Sequence, residues 1–168
     1  NVYIEERTID GVVVYVVTPK AGVAPRNTRR VLIGAHQGGF IFGGRYSALA
    51  EAVPVAGRGR IRVIAVDYRK APQHRFPAAS EDMEAVYRDV LRTTKASRVG
   101  LFGCSAGGTL VAQAVTRFQA RRLPRPGAVS IMCSGIMKSF WYGGDSEALA
   151  PTFTGRAAPT AQPGAYFE

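Results

Sequence analysis

The sequence predicts an α/β layer fold with a mainly parallel sheet and helices on both faces. Three observations carry this. Short, nearly continuous apolar runs recur as RVLIGA (30–35), RIRVIAVD (60–67), RVGLF (98–102) and AVSIMC (128–133), as strands buried on both faces do. Amphipathic helical patterns lie at 80–95 and 107–122, and such alternation gives parallel strands joined by right-handed crossovers. The 168 residues, 46% hydrophobic and 20% charged, suit one domain with a packed core.

The elements follow in chain order. Residues 2–9 and 11–18 read as a hairpin, with Asp10-Gly11 supplying the turn. Strands at 30–35 and 60–67 follow. In the helix at 80–95, Met83, Val86, Tyr87, Val90 and Leu91 share one face, with acids in the first turns and Arg92 and Lys95 in the last. After the strand at 98–102, Leu110, Val111, Ala114, Val115 and Phe118 give the second helix its apolar stripe, and the strand at 128–133 closes the series. Residues 151–168, rich in Pro, Ala, Thr and Gly, read as loop.

Composition excludes several classes. No apolar run approaches the ~20 residues of a membrane span. Cys104 and Cys133 have neither metal-ligand spacing nor the number for a disulfide scaffold, so no metal is expected and a reducing cytoplasm fits. The net charge of +10 comes mostly from 18 arginines, and residues 20–75 hold eleven basic residues against two acids, Glu51 and Asp67. No nucleic-acid motif or continuous basic stripe accompanies them, so a solvated arginine-rich surface is expected and no specific nucleic-acid partner.

The chemistry-bearing signal is Gly103-Cys104-Ser105-Ala106-Gly107-Gly108, between a strand and a helix. A G-x-S-x-G sequence there forms a sharp turn that thrusts the serine oxygen from the sheet's carboxyl edge, with the helix's positive end behind it. The bare pattern is common in a chain with 19 glycines; its position gives it weight. His36-Gln37-Gly38-Gly39-Phe40 follows the strand at 30–35, where acyl-transfer enzymes of this architecture place an HGGG-type oxyanion loop. His36 is expected to shape that loop through backbone hydrogen bonds.

Three blocks, AHQGGFIFGG (35–44), VDYRKAPQHRFPAASED (66–82) and GLFGCSAGG (100–108), resemble in order and spacing the amino-terminal half of the hormone-sensitive-lipase-like esterases. The resemblance covers about residues 30–122 well and the flanks loosely. It implies an α/β-hydrolase fold and a carboxylic ester hydrolase acting on short-to-medium acyl esters. Ser105 would be the nucleophile, and the N–H groups of Gly38, Gly39 and Ala106 the oxyanion hole. No cofactor is implied, and the middle block is structural. The sequence departs from the family at Gln37, where the first glycine of HGGG stands, and at Cys104, where aspartate is usual. Altered loop geometry and a buried, inert cysteine are expected there.

A serine nucleophile of this kind needs a histidine base and a carboxylate, in the order Ser, acid, His. Both histidines, His36 and His74, precede Ser105, and the only acids after it are Asp145, Glu147 and Glu168. The reading therefore expects residues 1–168 to be one incomplete hydrolase core without its last strands, base and acid, with 151–168 leading to an absent cap or carboxyl-terminal part. An inactive truncated relative, a site recruiting His36 or His74, and a non-catalytic ligand-binding relative stand as alternatives. The chain alone is expected to be marginally stable, with self-association through an exposed sheet edge and little turnover.

Overall fold

The computed structural model describes residues 1–134. Six strands and three helices follow in the order β1 (Val2–Ile9), β2 (Val12–Pro19), β3 (Val31–Ala35), α1 (Arg45–Gly59), β4 (Arg62–Asp67), α2 (Ala78–Leu91), β5 (Val99–Cys104), α3 (Ala106–Ala120) and β6 (Ala128–Met132). The β1–β2 turn places Asp10 at φ 46° and Gly11 at φ 81°, the left-handed pair that a tight hairpin requires.

The sheet order is β1-β2-β4-β3-β5-β6. The first two pairings are antiparallel, and β4, β3, β5 and β6 run parallel. Alternate residues of the central strands feed two cores. Val14, Ile33, Ile64, Val66 and Leu101 pack with Met83, Tyr87, Leu110 and Phe118 of α2 and α3. On the other face Tyr15, Val17, Val63, Ala65 and Phe102 pack with Ala48, Ala52 and Ala56 of α1. The helices thus cover both faces, as the fold class requires. All five residues of β6 are exposed among the described residues.

The chain leaves β3 towards β4 through α1 and leaves β5 towards β6 through α3, on opposite faces and in opposite directions along the sheet. That reversal makes the carboxyl ends of β3 and β5 a topological switch point, the place where open α/β sheets bind ligands. Gly34 and Gly100 make room for side chains of the facing strand. An added Cβ would lie 2.6 Å from the Phe102 ring at Gly34 and 2.6 Å from the Leu32 side chain at Gly100.

The element boundaries correct the sequence reading in places. The helix expected at 80–95 spans Ala78–Leu91, so Arg92 and Lys95 lie beyond it and Arg88 is the basic residue of its last turn. Helix α1 carries none of the large-residue periodicity of the others. Its buried face is an alanine stripe, and Pro54 lies inside it. Small side chains let it pack closely on the sheet, and that packing overrides the proline and glycines that argue against a helix locally.

Candidate active site

Parallel pairing brings Ala35 opposite Gly103, so the segments that follow them leave the sheet side by side. On the β5 side the chain turns into α3 within one residue. Ser105 is exposed and holds φ 52° and ψ −124°, a strained conformation for a residue with a Cβ. Its N–H donates to the Met132 carbonyl at 2.9 Å, and its carbonyl accepts from the Thr109 amide at 3.1 Å. The glycines on either side follow from crowding. A Cβ at Gly103 would sit 2.4 Å from the Gly107 backbone, and one at Gly107 would sit 2.0 Å from the Ala35 carbonyl oxygen. The first turn of α3 therefore rests directly on the end of β3.

On the β3 side the glycine loop curls back on itself. The Gly38 carbonyl accepts from the Ile41 and Phe42 amides at 3.1 and 2.8 Å, and Gly38, Gly39 and Phe40 all take positive φ. A side chain at Gly38 would collide with the Phe42 carbonyl, 2.2 Å from its Cβ position. The amides of Gly38, Gly39 and Ala106 donate to no partner among the described residues.

Side chains hold this loop in place. His36 is 1% exposed, and its ring stacks on Tyr68 with centroids 4.2 Å apart. Its Nδ1 lies 2.6 Å from the Gln37 carbonyl oxygen, which fixes Nδ1 as the protonated nitrogen of a neutral ring. Burial, against the partial opposition of that hydrogen bond, lowers the imidazole pKa. Nε2 is buried without a hydrogen-bond partner. The Tyr68 hydroxyl donates to the His36 carbonyl at 2.7 Å, and burial pushes the phenol pKa up.

The Ala71 amide donates to the Phe40 carbonyl at 2.8 Å, and Lys70 pairs with Asp67 at 2.6 Å. From α1, Glu51 accepts the Gln37 amide at 2.9 Å. Burial raises the Glu51 carboxyl pKa, partly offset by the backbone amides of Gln37 and Cys104.

The structure thus brings His36, Gly38, Gly39, Ser105 and Ala106 to one sheet edge. His74 stands apart on the middle block, exposed. Asp145, Glu147, Glu168 and the expected loop at 151–168 lie outside the described residues. Cys104 is half-buried rather than buried, and its side chain meets Cys133 just after β6. Burial and the Cys133 neighbour raise its thiol pKa, so the thiol stays protonated near neutral pH. No group of three or more His, Cys, Asp or Glu among the described residues could hold a metal, and no helix there is long and apolar enough to cross a membrane.

A family model for the alpha/beta hydrolase fold matches residues 32–160. The chain belongs to the α/β-hydrolase family. It is 30% identical over 110 residues to versiconal hemiacetal acetate esterase of Emericella nidulans, covering 66% of this chain and 37% of that protein. It is 32% identical over 164 residues to carboxylesterase NlhH of Mycobacterium tuberculosis, covering 92% of this chain and 48% of that one. Among solved structures, a hormone-sensitive lipase from a metagenome library superposes with a TM-score of 0.76 at 26% identity, covering 89% of this chain and 50% of its own. An esterase does so with a TM-score of 0.76 at 30% identity, covering 93% and 48%. The chain therefore spans about half or less of the length of these relatives.

Within this hydrolase scaffold the structure adds residues that sequence reasoning does not assign to the site. Glu51 and the Tyr68 hydroxyl both grip the glycine loop. Gly43 (φ 99°) passes so close to His36 that a Cβ would lie 2.6 Å from the ring. A signal for Glu51 was present: it is one of two acids in a stretch otherwise strongly basic.

Proposed function

We propose that the protein is a carboxylic ester hydrolase that forms an acyl-enzyme on Ser105. The observation that supports this most is the strained, exposed Ser105 at the start of α3, beside a glycine loop whose amides have no partner among the described residues. In this reading Ser105 Oγ attacks the ester carbonyl carbon and its proton passes to a general base. The amides of Gly38, Gly39 and Ala106 hold the developing oxyanion, a contribution worth about 3–4 kcal/mol per donor in related chemistry. Collapse of the tetrahedral intermediate breaks the carbon–oxygen bond to the alcohol, which leaves with a proton. Water then releases the acid and restores the serine.

His36 does not fill the role of base. Its ring is walled off by Tyr68 and Gly43, and its protonated Nδ1 is spent on the Gln37 carbonyl. His74 belongs to the block that fastens the loop. No described residue fills the role of base, and the chain spans about half or less of the length of the relatives it matches. Several relatives are named for acetate esters, among them an ethyl acetate hydrolase of Pseudomonas putida, which supports short acyl groups as substrates.

The test is fluorophosphonate labelling of the full-length protein together with p-nitrophenyl acetate hydrolysis. Rapid labelling is expected, and Ser105→Ala should abolish it and lower kcat by about 10⁴-fold or more. A full-length protein that neither labels nor turns over would leave a non-catalytic ligand-binding hydrolase fold instead.

A further inference from the structure

Helix α1 supplies the most unusual group at this site. Glu51, half-buried, faces the sheet edge from a helix whose buried residues are all alanine, Ala48, Ala52 and Ala56. One carboxyl oxygen accepts the Gln37 amide at 2.9 Å. The other is buried and has no hydrogen-bond partner. The backbone amide of Cys104, the residue before Ser105, stabilises the same carboxylate. A single side chain thus faces both the glycine loop and the serine turn.

A buried carboxyl oxygen with an unmade hydrogen bond is costly even on a half-buried side chain. The Gln37 amide, once taken by Glu51, is committed away from any oxyanion. That commitment fixes the plane of the His36–Gln37 peptide, and with the His36 Nδ1 contact on the Gln37 carbonyl it sets the direction in which the loop's next amides leave. In a glycine-rich loop, where no side chain restricts rotation, such an anchor decides whether those amides converge.

We propose that Glu51 is a positioning residue for the oxyanion hole, presetting the Gly38 and Gly39 amides through the Gln37 N–H. The inference rests on the esterase reading of Ser105. Its effect belongs in the transition state, where the oxyanion forms, and so in kcat rather than KM.

The experiment compares Glu51→Met, close in size but unable to accept a hydrogen bond, with Glu51→Gln, which keeps the acceptor, in the full-length protein. E51M is expected to lower kcat for p-nitrophenyl acetate about 10- to 100-fold with KM within about threefold of wild type. E51Q should recover kcat to within about threefold. Amide hydrogen exchange at residues 36–40 supplies a readout that needs no turnover: it should accelerate in E51M and stay near wild type in E51Q. If E51M fails to fold, Glu51→Ala is read in its place by the same measurements.

Wild-type kcat in the non-accepting variant, or unchanged exchange at Gln37, overturns the inference while wild-type turnover keeps the esterase reading standing. A wild type that neither labels nor turns over removes both.

Discussion

The two turns that meet at the sheet edge differ in how far side chains hold them. The serine turn is held by backbone against backbone, with Gly103, Gly107 and the Ala35 carbonyl in mutual contact. The glycine loop has backbone crowding of its own at Gly38, but it is also held by side chains, Tyr68 and Glu51 from elsewhere and the buried His36 at its start. Crowded backbone cannot yield to an added atom, because relaxing it would require moving β3 or α3 as a whole. A side-chain clamp can be loosened one bond at a time.

That contrast sets the size of the expected effects. Gly107→Ala would place a Cβ 2.0 Å from the Ala35 oxygen, so it should cost about 3 kcal/mol or more of stability. Urea denaturation of the full-length protein measures this; a variant within about 1 kcal/mol of wild type would contradict the backbone account. On the loop side, Tyr68→Phe deletes one hydroxyl and leaves the His36 carbonyl without that donor. About 1–2 kcal/mol is expected, read in the same assay, with a lowered kcat from the looser loop. A Y68F loss equal to that of G107A would erase the distinction.

A charge cluster remote from both turns, Glu84 with Arg88 and Arg117, provides the smallest and most pH-specific effect. Burial works to raise the Glu84 carboxyl pKa, but hydrogen bonds from Arg88 and Arg117 prevail and hold it below the ordinary range. A depressed folded-state pKa means that this pairing stabilises the fold above the unfolded carboxylate pKa, about 4.3. The contribution disappears as pH falls through the lower folded value. Glu84→Gln should therefore cost about 1–2 kcal/mol at pH 7, with the gap to wild type closing only in more acidic solution. Thermal melts of both proteins between pH 7 and pH 3 read it; a gap that does not narrow in acid would remove the titration argument.

The same contrast explains which parts of the molecule were legible in the sequence. Strand order aside, the hairpin, the β-branched runs and the helices around Tyr87 and Phe118 announce themselves by periodicity, because large apolar residues recur at the spacing of the element. The serine turn was legible because backbone crowding demands glycine at fixed offsets. Helix α1 was not, because its face is alanine and Pro54 interrupts it. The clamp on the glycine loop was not either. Tyr68 and Glu51 lie 32 and 15 residues beyond His36, and nothing local marks them as its partners. Sequence placed the loop's glycines; only the fold shows what holds them still.

For anyone diversifying this chain, the contact between the start of α3 and the end of β3 divides the neighbourhood of Ser105 into two kinds of position. Positions 103 and 107 admit one amino acid, and randomising them would empty a library of folded members. Variation is better spent at Gln37 and Cys104, which carry side chains between those crowded positions and the glycine loop.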